Sequence, residues 1–122
     1  MASKTDKITE ILRRLRTSSP DIFGATVVSV EGFPIASVAP AEIDEELVSG
    51  MSAALLGVGE RIANEMMQSP LNQVFVKSEK GYVILNSIGQ DAVLMLLVTI
   101  QAKLGLIFLE LRRVIPDLQK VL

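Results

Sequence analysis

The chain has 122 residues, the size of one domain with a single core, and we interpret residues 1–122 as one domain. Cysteine and histidine are both absent, which excludes disulfides, typical zinc sites and thiol or imidazole catalysis, so the sequence predicts no catalytic residue, no metal site and no cofactor. Because the formal net charge is −2 and the longest apolar run is about half of what a membrane span needs, we expect a cytoplasmic protein that neither binds nucleic acid nor inserts into a membrane.

The first predicted element is an amphipathic helix over residues 3–16. Its apolar positions recur at the spacing of one helix face and are Ile8, Ile11, Leu12 and Leu15. Ser3 and Asp6 form a capping-box pattern at its start. The residues that we interpret as its solvated basic face are Arg13, Arg14 and Arg16.

Two short segments rich in β-branched residues, 25–30 and 33–38, predict an antiparallel pair of strands. The Glu31-Gly32 dipeptide between them predicts a two-residue hairpin turn. Pro34 has no N–H group for a ladder on both sides, so we expect the second strand at an edge of the sheet.

A long second helix is predicted over residues 43–68, and at about 1.5 Å per residue it is long enough to cross a five-stranded sheet. Its apolar residues fall within an arc of roughly 120° and are Leu47, Met51, Ala54, Leu55, Val58, Ile62 and Met66. We interpret Met51 and Met66 as core-filling side chains, whereas Met67 is a candidate for a recognition surface. The acidic residues that we expect to complement the helix dipole, rather than bind a metal, are Asp44, Glu45 and Glu46.

A stripe of small residues lies beside this arc and consists of Gly50, Ala53 and Gly57. An interior glycine costs a helix about 1 kcal/mol relative to alanine, so the stripe predicts the close approach of another backbone. Arg61 lies next to the stripe, and we expect it at an interface, paired with Glu60 or Glu65 or with a partner subunit. Its alternative role is that of an arginine finger.

The elements predicted after the second helix are strands over residues 72–77, 82–88 and 92–100 and a helix over residues 104–122. Pro116 is expected to kink or end that helix. In the first of these strands, Val74 and Val76 lie on one face and Phe75 lies on the other. We expect a helix to cover Phe75 as well, and the alternative is an aromatic anchor at a dimer seam or partner surface.

The predicted order is αββαβββα, an α/β (α+β) domain in which helices cover both faces of a mostly antiparallel five-stranded sheet. The strand over residues 92–100 is apolar without interruption, so it belongs at the centre of the sheet beside the first strand. The strands that contain Pro34 and Val74 are then left at the edges. The predicted strand order is therefore 2-1-5-4-3.

The sequence resembles the Roadblock family, which includes the dynein light chains, over nearly its entire length. Residues 30–36, Val-Glu-Gly-Phe-Pro-Ile-Ala, are similar to the family's (D/E)-G-x-P-I-A hairpin. Three more segments carry the resemblance: the Ala- and Leu-rich helix of residues 51–67, Gly-Tyr-Val-Ile-Leu at residues 81–85, and Leu-Gly-Leu at residues 104–106. The resemblance is to an MglB-like bacterial or archaeal member, and it implies a fold of the Roadblock, longin and profilin type.

The resemblance implies a homodimer, or a heterodimer with a paralogue, in which the second helices lie side by side and the third strands pair across a two-fold axis. It also implies a non-catalytic module that binds a small Ras-like GTPase and scaffolds or regulates it. The residues expected at the dimer interface are Gly50, Ala53, Ala54, Gly57, Arg61, Gln73, Val74, Phe75, Val76 and Lys77. The residues expected to bind the partner are Glu60, Arg61, Asn64 and Met67.

Two other functions stay open beside the GTPase-binding module. The first is a structural adaptor subunit of a motor or signalling complex without a GTPase. The second is a small-ligand-sensing domain of the profilin-like or PAS-like kind, although the lack of His, Cys and Trp leaves few groups to orient a ligand. The composition itself favours self-association, because hydrophobic residues make up 49% of so small a chain.

Overall fold

The computed structural model describes residues 2–122, and they form one antiparallel sheet with helices on both of its faces. The elements in chain order are α1 (Lys4–Ser18), β1 (Ile22–Ser29), β2 (Pro34–Val38), α2 (Glu45–Met67), β3 (Gln73–Lys77), β4 (Gly81–Ile88), β5 (Ala92–Thr99) and α3 (Leu104–Val121). The strand order is β2-β1-β5-β4-β3, and each neighbouring pair is antiparallel. The predicted element order and sheet topology are therefore confirmed.

The two faces of the sheet have separate apolar cores. On the face covered by α1 and α3, here called the α1/α3 face, the helices pack on alternate strand residues, among them Leu94, Leu96 and Val98 of β5. On the opposite face, here called the α2 face, Leu56 packs against Val93 of β5 and its neighbours Leu85 and Met95. Because β5 contributes side chains to both cores, its sequence is apolar without interruption.

Side chains cap the first two helices at their N-termini. The Ser3 hydroxyl accepts a hydrogen bond from the Asp6 backbone N–H at 3.1 Å, and the Asp6 carboxylate accepts one from the Ser3 N–H at 3.3 Å. The predicted capping box is thus confirmed. Asp44 caps α2, because its carboxylate accepts a hydrogen bond from the Leu47 N–H at 3.2 Å.

The turn between β1 and β2 is longer than the predicted two-residue hairpin. The Gly32 N–H donates to the Ser29 carbonyl at 2.9 Å, the Ser29 N–H donates to the Phe33 carbonyl at 2.8 Å, and Gly32 has a φ of 98°. The extra residue is accommodated at this glycine, which adopts a positive φ without steric cost. The two-residue prediction was wrong because the Glu31-Gly32 signal does not fix the number of turn residues.

Two prolines, Pro34 and Pro116, lie within regular elements, and the predictions for them fare differently. Pro34 begins β2, which lies at the edge of the sheet as predicted. Pro116 lies inside α3, and the helix continues past it to Val121, so of the two predicted effects this proline does not end the helix, while a kink stays a prediction. The helix is held on both sides of the proline by the buried side chains of Leu111 and Leu118.

Replacing Gly81 by alanine should destabilise the fold by about 1 to 3 kcal/mol. A Cβ atom at Gly81 would lie 2.5 Å from the Val98 carbonyl oxygen, which belongs to the backbone of the central strand and cannot rotate away. Gly105→Ala is the matched control, because a Cβ atom there meets no atom within 4 Å and alanine favours a helix. Urea unfolding at one fixed protein concentration measures both, and equal stability of the two variants would contradict the packing argument.

Candidate interaction site

Helix α2 turns small residues towards the sheet. Ser49, Ser52 and Leu56 are its buried residues. One turn further, a Cβ atom at Gly59 would lie only 2.8 Å from the side chain of Leu71 and 3.0 Å from that of Val74. The helix axis therefore lies close to the sheet, and larger side chains would not fit beneath it.

The large apolar side chains of α2 point away from its sheet contact. We call this set the apolar flank, and it consists of Leu47, Met51, Leu55, Val58, Ile62 and Met66. These side chains are 38% to 74% exposed, and at about 100° per residue they lie within roughly 100° of one another. The interpretation of Met51 and Met66 as core-filling residues was wrong, because they are 56% and 74% exposed.

A groove runs between the apolar flank and the part of the α2 face that the helix leaves uncovered. Its volume is about 240 Å³. Met51 and Leu55 form its wall, and Val76, Val83 and Leu97 form its floor. Isolated apolar side chains are common on protein surfaces, but a continuous apolar groove of this kind is typical of an interaction site.

The outer edge of β3 borders this groove. β3 pairs with β4 along its whole length, from Gln73 opposite Asn86 to Lys77 opposite Tyr82, and forms no ladder on its other side within residues 2–122. Phe75, Val76 and Lys77 are exposed. An edge of this kind offers backbone N–H and C=O groups to another strand, and Lys77 is the one charged residue in it.

The small-residue stripe lies on the other flank of α2. Apart from the helix's own backbone, no atom lies within 4 Å of a Cβ built on Gly50 or Gly57, so both positions face open space. A Cβ built on Gly32 in the β1–β2 turn would lie 3.4 Å from the Gly50 Cα and 3.7 Å from the Ala53 Cβ, so this turn lies close to the stripe. Ala54 lies beside the apolar flank. The interface residues expected on α2 are therefore divided between its two flanks.

The expected partner-binding residues are all exposed and lie in the second half of α2. Glu60 and Asn64 border a polar cleft of about 620 Å³, together with Asn86 and Gln119. Arg61 forms no ion pair within residues 2–122, so the expected pairing with Glu60 or Glu65 is not present in the protomer.

Phe75 lies on the α1/α3 face, opposite Val74 and Val76. Its ring centroid is 5.1 Å from that of Tyr82 and 6.5 Å from that of Phe108 in α3. The expectation that a helix also covers this face is confirmed, although 40% of Phe75 remains exposed.

Within residues 2–122, no three His, Cys, Asp or Glu side chains lie close enough together to hold a metal ion. No helix of this part of the chain is both long enough and apolar enough to cross a membrane. The candidate functional features of residues 2–122 are therefore surfaces and not a metal-binding cluster. They are the apolar flank, its groove and the β3 edge.

Comparison with known proteins shows which family has this architecture. The model of the Roadblock/LC7 domain matches residues 8–98. The uncharacterized protein MJ0310 of Methanocaldococcus jannaschii is 35% identical over 92 residues, which cover 75% of this chain and 80% of that protein. MJ0714 of the same organism is 34% identical over 90 residues, with 74% and 75% covered.

Solved structures show the same fold at lower sequence identity. Myxococcus xanthus MglB superposes with a TM-score of 0.87 at 20% identity, covering 94% of this chain and 86% of that one. An MglB with a tetrameric arrangement superposes at 0.89 with 17% identity, covering 99% and 91%. Acanthamoeba castellanii profilin IA is similar at 0.67 with 10% identity, covering 92% and 96%. The predicted relation to the Roadblock and profilin-like folds is confirmed.

Proposed function

Because this chain belongs to the Roadblock/LC7 domain family, we propose that it is a non-catalytic, dimeric interaction module that binds a small Ras-like GTPase and scaffolds or regulates it. The observation that carries the proposal is the exposed apolar flank of α2 beside the unpaired edge of β3. Burial of such a surface by association is favourable at roughly 25 cal/mol for each Å² removed from water. The fold neighbour MglB with a tetrameric arrangement supports self-association.

Two β3 edges can pair about a two-fold axis perpendicular to the sheet. Such an axis leaves each side chain on its own face, so one residue of the strand lies opposite its own copy. Phe75 is the middle residue of Gln73–Lys77, and an axis at Phe75 allows all five residues to pair. The result is one ten-stranded sheet without an exposed β3 edge.

The same axis brings the two apolar flanks together. In each protomer, α2 crosses the sheet from the β1–β2 turn at Gly50 to β3 at Gly59, and its apolar flank faces the strand ends near Val76 and Val83. The two-fold axis reverses the direction of the partner's strands. The partner's α2 therefore lies alongside α2 of the first protomer, and the two apolar flanks face each other. In this arrangement the two α2 helices meet at their apolar flanks, whereas the sequence predicted that they meet at the small-residue stripe.

The other flank of α2 then faces outward and is available to a GTPase. Gly50 and Gly57 leave its surface smooth, and Glu60, Arg61 and Asn64 provide charge and hydrogen-bonding groups. A flat helix surface with polar groups at one end allows close approach of a second protein and fixes its orientation. Met67 lies exposed at the end of the same helix.

A Phe75→Cys variant should form a disulfide-linked dimer under mild oxidation. Opposed residues in antiparallel strands have Cα atoms about 4.5 to 5.5 Å apart, within the range that a disulfide spans. The chain contains no other cysteine, so every crosslink reports on this position. Phe33→Cys, at the exposed β1–β2 turn, is the control and should remain monomeric on a non-reducing gel. Crosslinking of the control alone would place the two-fold axis elsewhere.

Ile62→Glu should shift the dimer towards monomer and raise its dissociation constant at least about tenfold, because a charge would be buried between the two helices. Asn64→Glu, on the outward flank of the same helix, should leave the dimer intact. Sedimentation velocity measures both. If Gly57→Leu dissociates the dimer while Ile62→Glu does not, the helices meet at the small-residue stripe instead.

Charge reversal on the outward flank should weaken the binding of a Ras-like GTPase from the same organism. Calorimetry of Glu60→Lys and Arg61→Glu should give an affinity loss of at least about tenfold, whereas reversal of Arg13 and Arg14 in α1 should change affinity little. The opposite ranking would move the site to α1. If Arg61→Ala leaves binding intact but abolishes stimulated hydrolysis, Arg61 acts as an arginine finger. Binding of none of the organism's Ras-like GTPases would favour an adaptor subunit.

A further inference from the structure

The charged residues of the chain are distributed unevenly over the two faces of the sheet. Of its 12 basic residues, eight lie in α1 and α3, whereas ten of its 14 acidic residues lie outside these two helices. On the opposite face, α2 has four acidic residues and one basic residue. The formal net charge of −2 therefore averages over a basic α1/α3 face and an acidic α2 face.

The outward side of α3 carries basic and apolar side chains together. Leu109, Arg113 and Lys120 lie opposite the buried residues of this helix and, at roughly 100° per residue, within about 40° of one another. All three side chains are exposed. The acidic residues of α3, Glu110 and Asp117, lie to one side, on the flank towards α1. Positive charge and apolar surface therefore predominate on the side of α3 that faces solvent.

The end of α1 lies beside the start of α3. The Thr99 N–H donates to the Asp21 carbonyl at 2.9 Å, and the Thr99 hydroxyl donates to the Asp21 carboxylate at 3.0 Å. These bonds join the residues that follow α1 to those that precede α3, so both helix ends lie at the same end of the sheet. Exposed arginines of α1 there meet Leu106 and Leu109, which are 59% and 53% exposed. We call this surface the arginine-leucine surface, and it consists of Arg13, Arg14, Leu106, Leu109, Arg112 and Arg113.

The four arginines of this surface are largely uncompensated. Arg14 and Arg112 form no ion pair within residues 2–122. Arg13 and Arg113 each have one glutamate oxygen, three residues earlier in the same helix, at 3.9 Å and 3.5 Å. Exposed pairs of this kind are weak, so all four guanidinium groups stay available to phosphate groups of a ligand.

We propose that the arginine-leucine surface binds the surface of an anionic bilayer, with its arginines on lipid phosphates and Leu106 and Leu109 at the level of the headgroups. The leucines decide between the acidic partners, because the phosphates of a nucleic acid offer them no apolar contact. A rigid protein would need a concave surface to match the outward sides of two adjacent helices. A fluid bilayer adapts to a convex surface and accepts both kinds of side chain.

The proposed dimer would strengthen this contact without creating it. A two-fold axis at Phe75, perpendicular to the sheet, leaves both arginine-leucine surfaces on one side of the ten-stranded sheet and both α2 helices on the other. A bilayer would then meet two surfaces at once, and the outward flanks of α2 would stay free for a GTPase. Each arginine-leucine surface belongs to one protomer, so the inference depends neither on the dimer nor on the GTPase.

Co-sedimentation of the full chain with lipid vesicles tests the proposal. Vesicles of phosphatidylcholine with about one third phosphatidylglycerol should bind the chain at least about tenfold more tightly than vesicles of phosphatidylcholine alone, because each basic residue near an anionic surface contributes roughly fivefold. Raising the salt from about 0.05 to 0.5 M should weaken this binding. Equal binding to both kinds of vesicle, or binding to neither, would overturn the proposal. So would tighter binding of a short DNA duplex than of the anionic vesicles, because the surface would then be a nucleic-acid contact.

Matched variants locate the contact. Arg112→Glu should weaken binding to anionic vesicles at least about fivefold, whereas Lys80→Glu, an equal change of charge in the exposed β3–β4 turn, should change it less than about twofold. Leu109→Ser should weaken binding at least about threefold, and Phe33→Ser, at the exposed β1–β2 turn, should not. Equal losses in a variant and its control would overturn the proposal, because binding would then follow net charge or overall hydrophobicity.

The dimer and the GTPase are tested apart from the bilayer contact. Monomeric Ile62→Glu should still bind anionic vesicles, more weakly than the unaltered chain because one arginine-leucine surface is engaged instead of two. If Ile62→Glu stays dimeric, the proposed dimer interface fails while the arginine-leucine surface stands. If it is folded and monomeric and binds no vesicles, the surface of one protomer is not the binding site. Arg112→Glu, which should lose vesicles, should keep its affinity for a GTPase, because Arg112 lies on the face opposite α2.

Discussion

The close contact between α2 and the sheet determines which side chains of this helix reach solvent. Gly59 lies against Leu71 and Val74, and a larger residue there would lift the helix away from β3. Since Ser49 and Ser52 occupy two of the three buried positions of the helix and only Leu56 is a large apolar side chain there, the protomer core on the α2 face is small. The apolar flank and the groove beside it are the consequence, because the helix cannot turn its large side chains inward without losing this contact.

The two edges of the sheet are protected to different degrees, and this difference decides where another chain can pair. Pro34 begins β2 and removes an N–H donor from that edge, and α1 packs against β2. β3 carries no proline and has Lys77 as its one charged residue. The central strands β1 and β5 are buried on both faces, so the sheet provides a rigid support for the open edge.

Much of the fold could be predicted from the sequence because its signals are local. Alternation in β3, the uninterrupted apolar run of β5 and the capping box at Ser3 each follow from a few neighbouring residues. The orientation of α2 could not be predicted in the same way. An apolar arc shows which side of a helix avoids water. The same sequence pattern results whether residues such as Leu47 and Ile62 are buried by their own protomer or by another chain.

The candidate site was harder to predict than the fold for the same reason. The glycine that lies against the sheet is Gly59, whereas the spacing of Gly50 and Gly57 in the sequence predicts close contact at the stripe instead. A second pattern in the sequence, small residues at 49, 52, 59 and 63, marks the inward side of the helix. The inward side of the helix differs from the stripe only in that it contacts β3. That contact joins residues distant in the chain, so the local sequence does not reveal it.

β3 links the surfaces on the two faces of the sheet. Its alternation places Val74 and Val76 on the α2 face and Phe75 and Lys77 on the α1/α3 face. Because neighbouring side chains point in opposite directions, each face can be altered without removing a contact from the other. The backbone is nevertheless shared. If a molecule on the α1/α3 face contacts Phe75 of both copies, it binds the paired state more tightly than the separate protomers. By thermodynamic linkage, ligand binding then strengthens pairing of the strands by the same factor by which pairing strengthens ligand binding.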